Sequence, residues 1–114
     1  MKTNILLLII FLLGFKQANS QNVNNESIAR EYHRMGEFKK AATLFEDIYK
    51  EKKTKTIYDK YIDCLIQIQS YKKAEKTIKS FYKKTKNPSI LIDLGKIYLL
   101  ENDEDAANNS FNLA

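Results

Sequence analysis

Alanine recurs at a fixed interval along this chain, and that interval limits the folds that the chain can adopt. The spacing between successive alanines is the same, and a bulky apolar residue follows each one after four positions. A turn-forming residue precedes each alanine, so every copy reads as a turn followed by a helix. Self-similarity at a period of roughly 33 residues indicates an array of stacked repeats. The recurring residues are Ala41, Ala74 and Ala107, with Phe45, Ile78 and Phe111.

The first twenty residues have the pattern of a secretory signal peptide. Lys2 gives a cationic start, and the apolar run that follows, Ile5 to Phe15, is eleven residues long. A membrane-spanning helix needs roughly 20 apolar residues, so this run is too short for an anchor. Small residues at Ala18 and Ser20 stand where a signal peptidase requires them. Because lysine, asparagine and isoleucine are abundant, as in AT-rich bacteria, we expect a chain that is secreted or periplasmic in a bacterial cell envelope, with residues 1–20 removed.

Apolar residues at helical spacing predict three pairs of helices after this leader. The first helix is expected to end at Gly36, because glycine adopts the left-handed conformation of a helix C-terminus without steric cost. The second helix is expected to run from Glu37 to Lys52. The expected buried stripe of the first helix is Ile28, Ala29, Tyr32 and Met35.

Capping residues predict where the later helices begin. Thr54 or Thr56 is expected to cap the third helix, and Ser70 stands at the cap position of the fourth. Asn87 followed by Pro88 predicts the start of the fifth helix, since proline at the first helical position loses no hydrogen bond. The acidic run 103–105 predicts the start of the sixth, with its charge facing the positive end of the helix dipole.

These positions resemble the tetratricopeptide repeat over nearly all of residues 21–114. The third repeat matches that family's pattern most completely, with Leu94-Gly95, Tyr98, Ala107 and Phe111. The resemblance implies an all-α chain, an α-solenoid of about three antiparallel helix pairs, with repeats at about 22–54, 55–87 and 88–114. The departures are Asn25 in place of the first aromatic, Lys53 and Lys86 in place of the closing proline, and a period one position shorter than the family's usual one.

The resemblance also implies a function, which is to hold a segment of a protein partner, as a peptide or a helix, in the concave groove. First helices of the pairs line that groove, so their polar side chains are the expected contacts. Ile66, Ile92 and Leu99 are expected there as well. The predicted binding residues are Arg30, His33, Arg34, Asp59, Lys60, Asp63 and Lys96.

An alternative function rests on the distribution of charge. Residues 50–86 hold twelve lysines against four acidic residues, a local charge of +8, whereas residues 87–114 have a local charge of −4. A basic block of this kind suits an electrostatic adaptor that docks on anionic lipid or on a cell-wall polymer. Export argues against a nucleic-acid partner. Lysines at intervals along amphipathic helices are also typical of an ordinary solvated face.

Catalysis, metals and cofactors find no support in the sequence. It contains no phosphate-binding glycine loop and no catalytic elbow, and its single histidine, His33, has no second histidine with which to share a metal. Cys64 lies in an apolar run and is expected in the core. Asp59 and Asp63 share one helical face, but Lys60 beside them indicates ion pairing. We therefore expect a binding protein and not an enzyme.

The last predicted helix ends soon after Phe111, which leaves its apolar residues partly uncovered. A terminal repeat normally presents a polar outer face that caps the stack. The sequence therefore predicts either a longer protein of which this chain is a piece, or a chain that pairs with itself or with a partner through the C-terminal end.

Overall fold

The computed structural model describes residues 24–114, so the predicted leader lies outside the described residues. Every regular element between residues 24 and 114 is an α-helix. The six helices form three antiparallel pairs, which confirms the expected all-α solenoid. No described helix is both long enough and apolar enough to cross a bilayer. The helices are α1 (24–34), α2 (Phe38–Glu51), α3 (Lys55–Gln67), α4 (Tyr71–Thr85), α5 (Ile90–Leu100) and α6 (Glu104–Leu113).

The turn inside each pair has the same backbone geometry three times. Gly36, Gln69 and Asn102 occupy equivalent positions in the three repeats, and each adopts a left-handed conformation, with φ of +78°, +60° and +62°. In each turn the next residue donates its N–H to the carbonyl five positions earlier, which is the Schellman arrangement of a helix C-terminus. Those bonds are Glu37 to Tyr32, Ser70 to Leu65 and Asp103 to Tyr98, each 2.8 Å long.

Side chains cap two of the helices as the sequence predicts. Thr54 Oγ1 accepts a hydrogen bond from Ile57 N at 3.4 Å, and Asp103 Oδ1 accepts one from Ala106 N at 3.0 Å. Ser70 occupies the cap position of α4, but its side chain makes no capping hydrogen bond. The position of that helix start was therefore predicted correctly, while its mechanism was not.

The start of α5 differs slightly from the prediction. The helix begins at Ile90, two residues after Pro88. A tighter turn leads into it, in which Ile90 N donates to the carbonyl of Asn87 at 3.1 Å and Leu91 N donates to that of Pro88 at 3.0 Å. Asn87 nevertheless caps this turn as expected, because its Oδ1 accepts from Ser89 N at 3.1 Å.

The recurring alanines lie at the centre of the core. Ala41, Ala74 and Ala107 are each 0% exposed, and small buried side chains allow neighbouring helices to approach closely. Within the second pair, the ring of Tyr58 on α3 stacks on Phe81 of α4 with centroids 4.1 Å apart. Cys64 is buried in the same core, as predicted. Its burial raises the pKa of the thiol to about 11.

Two residues of the expected stripe on α1 are not in the core. Ile28 is 40% exposed and Met35 is 55% exposed, whereas Ala29 is fully buried. The helical period identifies a face of the helix, but the width of the buried face depends on how many neighbours the helix has. Since α1 is the first helix of the described stack, its neighbours leave Ile28 partly uncovered, whereas Met35 lies in the turn after the helix.

Gly95 lets α5 and α6 pack in contact. A Cβ built on Gly95 would lie 2.3 Å from Cε1 of Phe111, which is far inside van der Waals contact. The equivalent pairs one and two repeats earlier are Ile62 with Ile78 and Ala29 with Phe45. Gly95 is therefore the smallest of these three residues on first helices, and it faces a phenylalanine ring.

We predict that Gly95→Ala destabilises the fold by about 1–3 kcal/mol, because the added methyl group overpacks the contact with Phe111. This loss is expected even though alanine is the better helix former. Urea unfolding followed by circular dichroism measures it. Adding Phe111→Leu should restore part of the loss, and a double variant no more stable than Gly95→Ala would contradict the assigned clash.

The repeated turn geometry predicts opposite effects for reciprocal substitutions. Gly36→Gln should destabilise the fold by about 1 kcal/mol, because a side chain makes the left-handed conformation costly. No atom lies within 4 Å of the position where the Gly36 Cβ would be, so the effect reports backbone strain alone. Gln69→Gly should stabilise the fold by a smaller amount, since glycine also loses more chain entropy on folding. Urea midpoints that shift in the same direction for both variants would contradict this explanation.

Candidate binding surface

The structure places the predicted binding residues on the first helices of the three pairs. We call the surface formed by α1, α3 and α5 the inner face. Each predicted residue is at least partly exposed. Arg30, His33 and Arg34 lie on α1, Asp59, Lys60 and Asp63 lie on α3, and Lys96 lies on α5.

Two side-chain hydrogen bonds join the inner helices to one another. His33 Nε2 lies 2.5 Å from Asp63 Oδ2, and this contact links α1 to α3. The rings of His33 and Phe38 also pack in a T-shaped arrangement, with centroids 5.5 Å apart. The second bond links α3 to α5, because the Tyr58 hydroxyl donates to Asp93 Oδ2 at 3.0 Å. Two of the predicted site residues, His33 and Asp63, therefore contact each other across repeats.

The bond between Tyr58 and Asp93 was not predicted. Tyr58 is fully buried, so its hydroxyl needs a hydrogen-bond partner within the protein. Burial, together with the nearby Asp93 carboxylate, raises the pKa of Tyr58 well above its ordinary value, and the hydroxyl remains a donor. A buried tyrosine in the sequence signals that a partner is needed but does not indicate which carboxylate supplies it.

The arginines of α1 are already paired. Arg30 Nη2 contacts Glu26 Oε1 at 2.9 Å, and this hydrogen bond is the main cause that lowers the pKa of Glu26. Arg34 donates two hydrogen bonds to the Glu31 carboxylate, from Nε at 3.0 Å and from Nη2 at 2.5 Å. That bond lowers the pKa of Glu31 and raises the pKa of Arg34. A partner's carboxylate must therefore compete with an existing ion pair at either arginine.

The acidic pair on α3 has different partners from those expected. Asp59 is paired with Lys55, one turn earlier on the same helix, and Asp63 is paired with His33. The expected pairing with Lys60 is therefore wrong. Adjacent residues on a helix do not face each other, so Asp59 pairs one turn away and Asp63 pairs with the neighbouring repeat. Within residues 24–114, neither Lys60 nor Lys96 has a salt-bridge partner, so these ammonium groups can receive an external anion.

Apolar side chains are exposed at the α5 end of the inner face. Ile92 is 41% exposed and Leu99 is 47% exposed, while Ile66 on α3 is partly buried. One repeat earlier than Ile92 the equivalent residue is Asp59. The inner face thus changes from charged side chains on α1 to aliphatic side chains on α5.

Half of the lysines of the basic block, residues 50–86, have a carboxylate nearby. Six of the twelve lysines between residues 50 and 86 lie within salt-bridge distance of a carboxylate. For example, Glu75 accepts hydrogen bonds from Lys79 and from the Tyr98 hydroxyl, and these bonds lower its pKa.

In the described part of the chain, His, Cys, Asp and Glu side chains form no group of three or more able to hold a metal ion.

Known structures share this arrangement of helices, whereas sequence comparison finds no relative. No family profile matches the chain, and no curated protein matches it in sequence. The translocator chaperone SycD of type III secretion in Yersinia enterocolitica is similar with a TM-score of 0.70 at 13% identity, over 83% of this chain and 72% of that chain. A second structure of SycD, an alternative dimer, gives 0.68 at 14% identity, over 82% of this chain and 73% of that one. PcrH in complex with the chaperone binding region of PopB gives 0.68 at 12% identity, over 82% and 77%. At these identities the similarity establishes a shared helical-repeat fold.

Proposed function

We propose that this chain is an exported scaffold of the tetratricopeptide type, which binds a segment of a partner protein along its inner face. Support comes from the shared fold, since PcrH adopts it and was solved with the chaperone binding region of PopB. A stack of helix pairs of this kind presents an extended surface to a partner. The observation that carries the proposal is the exposure of Ile92 and Leu99 on that surface, beside lysines without salt-bridge partners in the described chain.

The same side chains suggest the chemistry of the partner. Aliphatic side chains of the partner would cover Ile92 and Leu99, because apolar side chains exposed together on a helix face suit contact with another protein. Carboxylates of the partner would reach Lys60 and Lys96, where they meet no competing salt bridge from residues 24–114. Contacts at Arg30 and Arg34 would instead require exchange of an existing ion pair, so these arginines favour binding less strongly than the sequence alone suggests.

A binding role is also favoured over a catalytic one. The similar structures are those of chaperones. The two carboxylates of α3 that might have formed an acid–base couple are each engaged with a different basic side chain. The inner face thus supplies contacts suited to holding a segment, which is the role that we propose.

The alternative role, as an electrostatic adaptor on anionic lipid or cell-wall polymer, has weaker support. Half of the lysines in the block at residues 50–86 have carboxylate partners, so the field that a flat anionic surface would meet is reduced. Docking on an exposed surface would also weaken steeply with salt. We therefore favour the inner face as the principal binding surface.

A photo-crosslinking residue in place of Leu99 should capture the partner from a cell-envelope extract, because this side chain projects from the inner face. The matched control replaces Lys83, which is exposed on α4, outside the inner face. We expect crosslinks from position 99 and none from position 83, and we expect Ile92→Asp to abolish them. Equal crosslinking from both positions would contradict binding on the inner face.

Export is tested separately. Expressed in a bacterium with its leader, the chain should appear in the envelope or secreted fraction, and mass spectrometry should find Gln21 at its N-terminus. Replacing two leucines of the run at residues 5–15 with arginine should retain an uncleaved chain in the cytoplasm, because a signal peptide requires an apolar centre. An uncleaved wild-type chain in the cytoplasm would contradict this part of the proposal.

A further inference from the structure

A second concave surface lies on the outer side of the stack, in a cleft between α2 and α4. These are second helices of their pairs, so the cleft is separate from the inner face. Its volume is about 290 Å³. At one end Lys73 Nζ contacts Glu46 Oε2 at 3.0 Å, and towards the other end Lys84 Nζ donates to the carbonyl of Lys53 at 3.2 Å. The two contacts connect the two walls of the cleft.

The length of the cleft follows from the helix geometry. Lys73 and Ser80 both line the cleft from α4 and are two helical turns apart, which corresponds to about 10 Å of helix axis. An extended peptide advances roughly 3.3 Å per residue, so the cleft accommodates about three residues of extended chain.

The floor of the cleft is aromatic. Tyr49 and Tyr61 lie side by side with centroids 5.8 Å apart, and they are 8% and 3% exposed. Burial raises the pKa of Tyr61 to about 12, so its hydroxyl keeps its proton. Thr77 and Ser80 add hydroxyl groups to the lining. The Thr77 hydroxyl already donates to the carbonyl of Lys73 at 2.8 Å, so the floor offers ring surface to an apolar side chain and the Ser80 hydroxyl to its backbone.

The rim of the cleft is cationic. Four lysines line it, against the single carboxylate of Glu46. Lys73 is paired with Glu46, and Lys50 lies 3.8 Å from Asp47. By contrast, Lys53 and Lys76 have no salt-bridge partner among residues 24–114. Two ammonium groups, one from each side of the cleft, are thus available to an external anion.

We propose that the cleft between α2 and α4 binds a short acidic segment of a partner protein, with an apolar side chain on Tyr49 and Tyr61 and flanking carboxylates at Lys53 and Lys76. This site is independent of the inner face. A compact phosphate is a poorer match, because no arginine lines the cleft to hold it bidentately and much of the lining is aromatic.

A second copy of the chain is a poorer match for the cleft, since its acidic end has few carboxylates to offer. Of the five acidic side chains in residues 87–114, Asp93 accepts from Tyr58, Glu101 is paired with Lys72, and Asp103 caps α6. The other two, Glu104 and Asp105, are adjacent in the sequence, so no apolar side chain stands between them to reach the tyrosines.

A bilayer surface is a poorer match as well. The tyrosines lie at the bottom of a cleft, out of reach of a flat surface. The large exposed apolar side chains of the described chain that could insert into a bilayer lie elsewhere, on or beside α1, α5 and α6.

The test uses a labelled peptide with one phenylalanine between two pairs of glutamates, and a second peptide with glutamine in place of each glutamate. Fluorescence anisotropy at low salt should show that the chain binds the acidic peptide and not the glutamine peptide. Lys53→Glu with Lys76→Glu should weaken binding about tenfold or more, because two attractions become repulsions. Amide signals of Thr77 and Ser80 should shift on titration in nuclear magnetic resonance spectra.

The matched control is Lys39→Glu with Lys83→Glu, two exposed lysines on α2 and α4 that line neither the cleft nor the inner face. It changes the net charge equally, and it also reverses two lysines without salt-bridge partners in the described chain, so neither variant breaks a salt bridge there. Equal weakening by both double variants would overturn the proposal in favour of nonspecific attraction, and amide shifts confined to α1, α3 and α5 would overturn it in favour of the inner face. Binding to phosphatidylglycerol vesicles but not to the peptide, or self-association that Lys53→Glu with Lys76→Glu abolishes, would overturn it in favour of a membrane or a second copy.

Discussion

Close approach of neighbouring helices at buried alanines is the constraint on which the other features of this structure depend. Ala41, Ala74 and Ala107 are completely buried, and each is followed by a large apolar residue that fills the adjacent space. Because the same contact returns once in every repeat, each pair meets the next in a similar way. The inner face and the outer cleft are both consequences of this repetition. The inner face is formed by the first helices of successive pairs. The outer cleft is formed by the second helices α2 and α4, with Tyr61 of α3 between them at its floor.

The sequence was sufficient to predict the fold, because helix formation and helix pairing depend on local patterns. The three left-handed turns are an instructive case: Gly36 signals its conformation directly, whereas Gln69 and Asn102 adopt it without glycine. Their geometry was recognisable only through their spacing from Gly36. Local patterns did not predict how much of α1 is buried, and Ile28 shows this, since its exposure depends on which helices surround α1.

The candidate site was less predictable, because its geometry depends on contacts between repeats. Position within a repeat was sufficient to place His33 and Asp63 on the inner face, but not to predict that they contact each other. Asp59 was assigned the wrong partner for a local reason, since the choice between Lys55 and Lys60 on the same helix depends on side-chain geometry. The outer cleft was missed altogether. Its lysines appeared only as part of a basic block, and the sequence does not indicate that Tyr49 and Tyr61 meet beneath them.

The burial of Cys64 has a consequence for the dynamics of the stack. Its side chain is completely covered, and its thiol has a pKa of about 11, so the reactive thiolate is scarce and shielded while the second pair of helices stays closed. Alkylating reagents therefore act on this atom only when α3 separates from its neighbours. The rate at which the thiol becomes modified then measures how often the middle of the solenoid opens spontaneously. The same shielding keeps two copies of the chain from forming a disulfide with each other in an oxidising compartment.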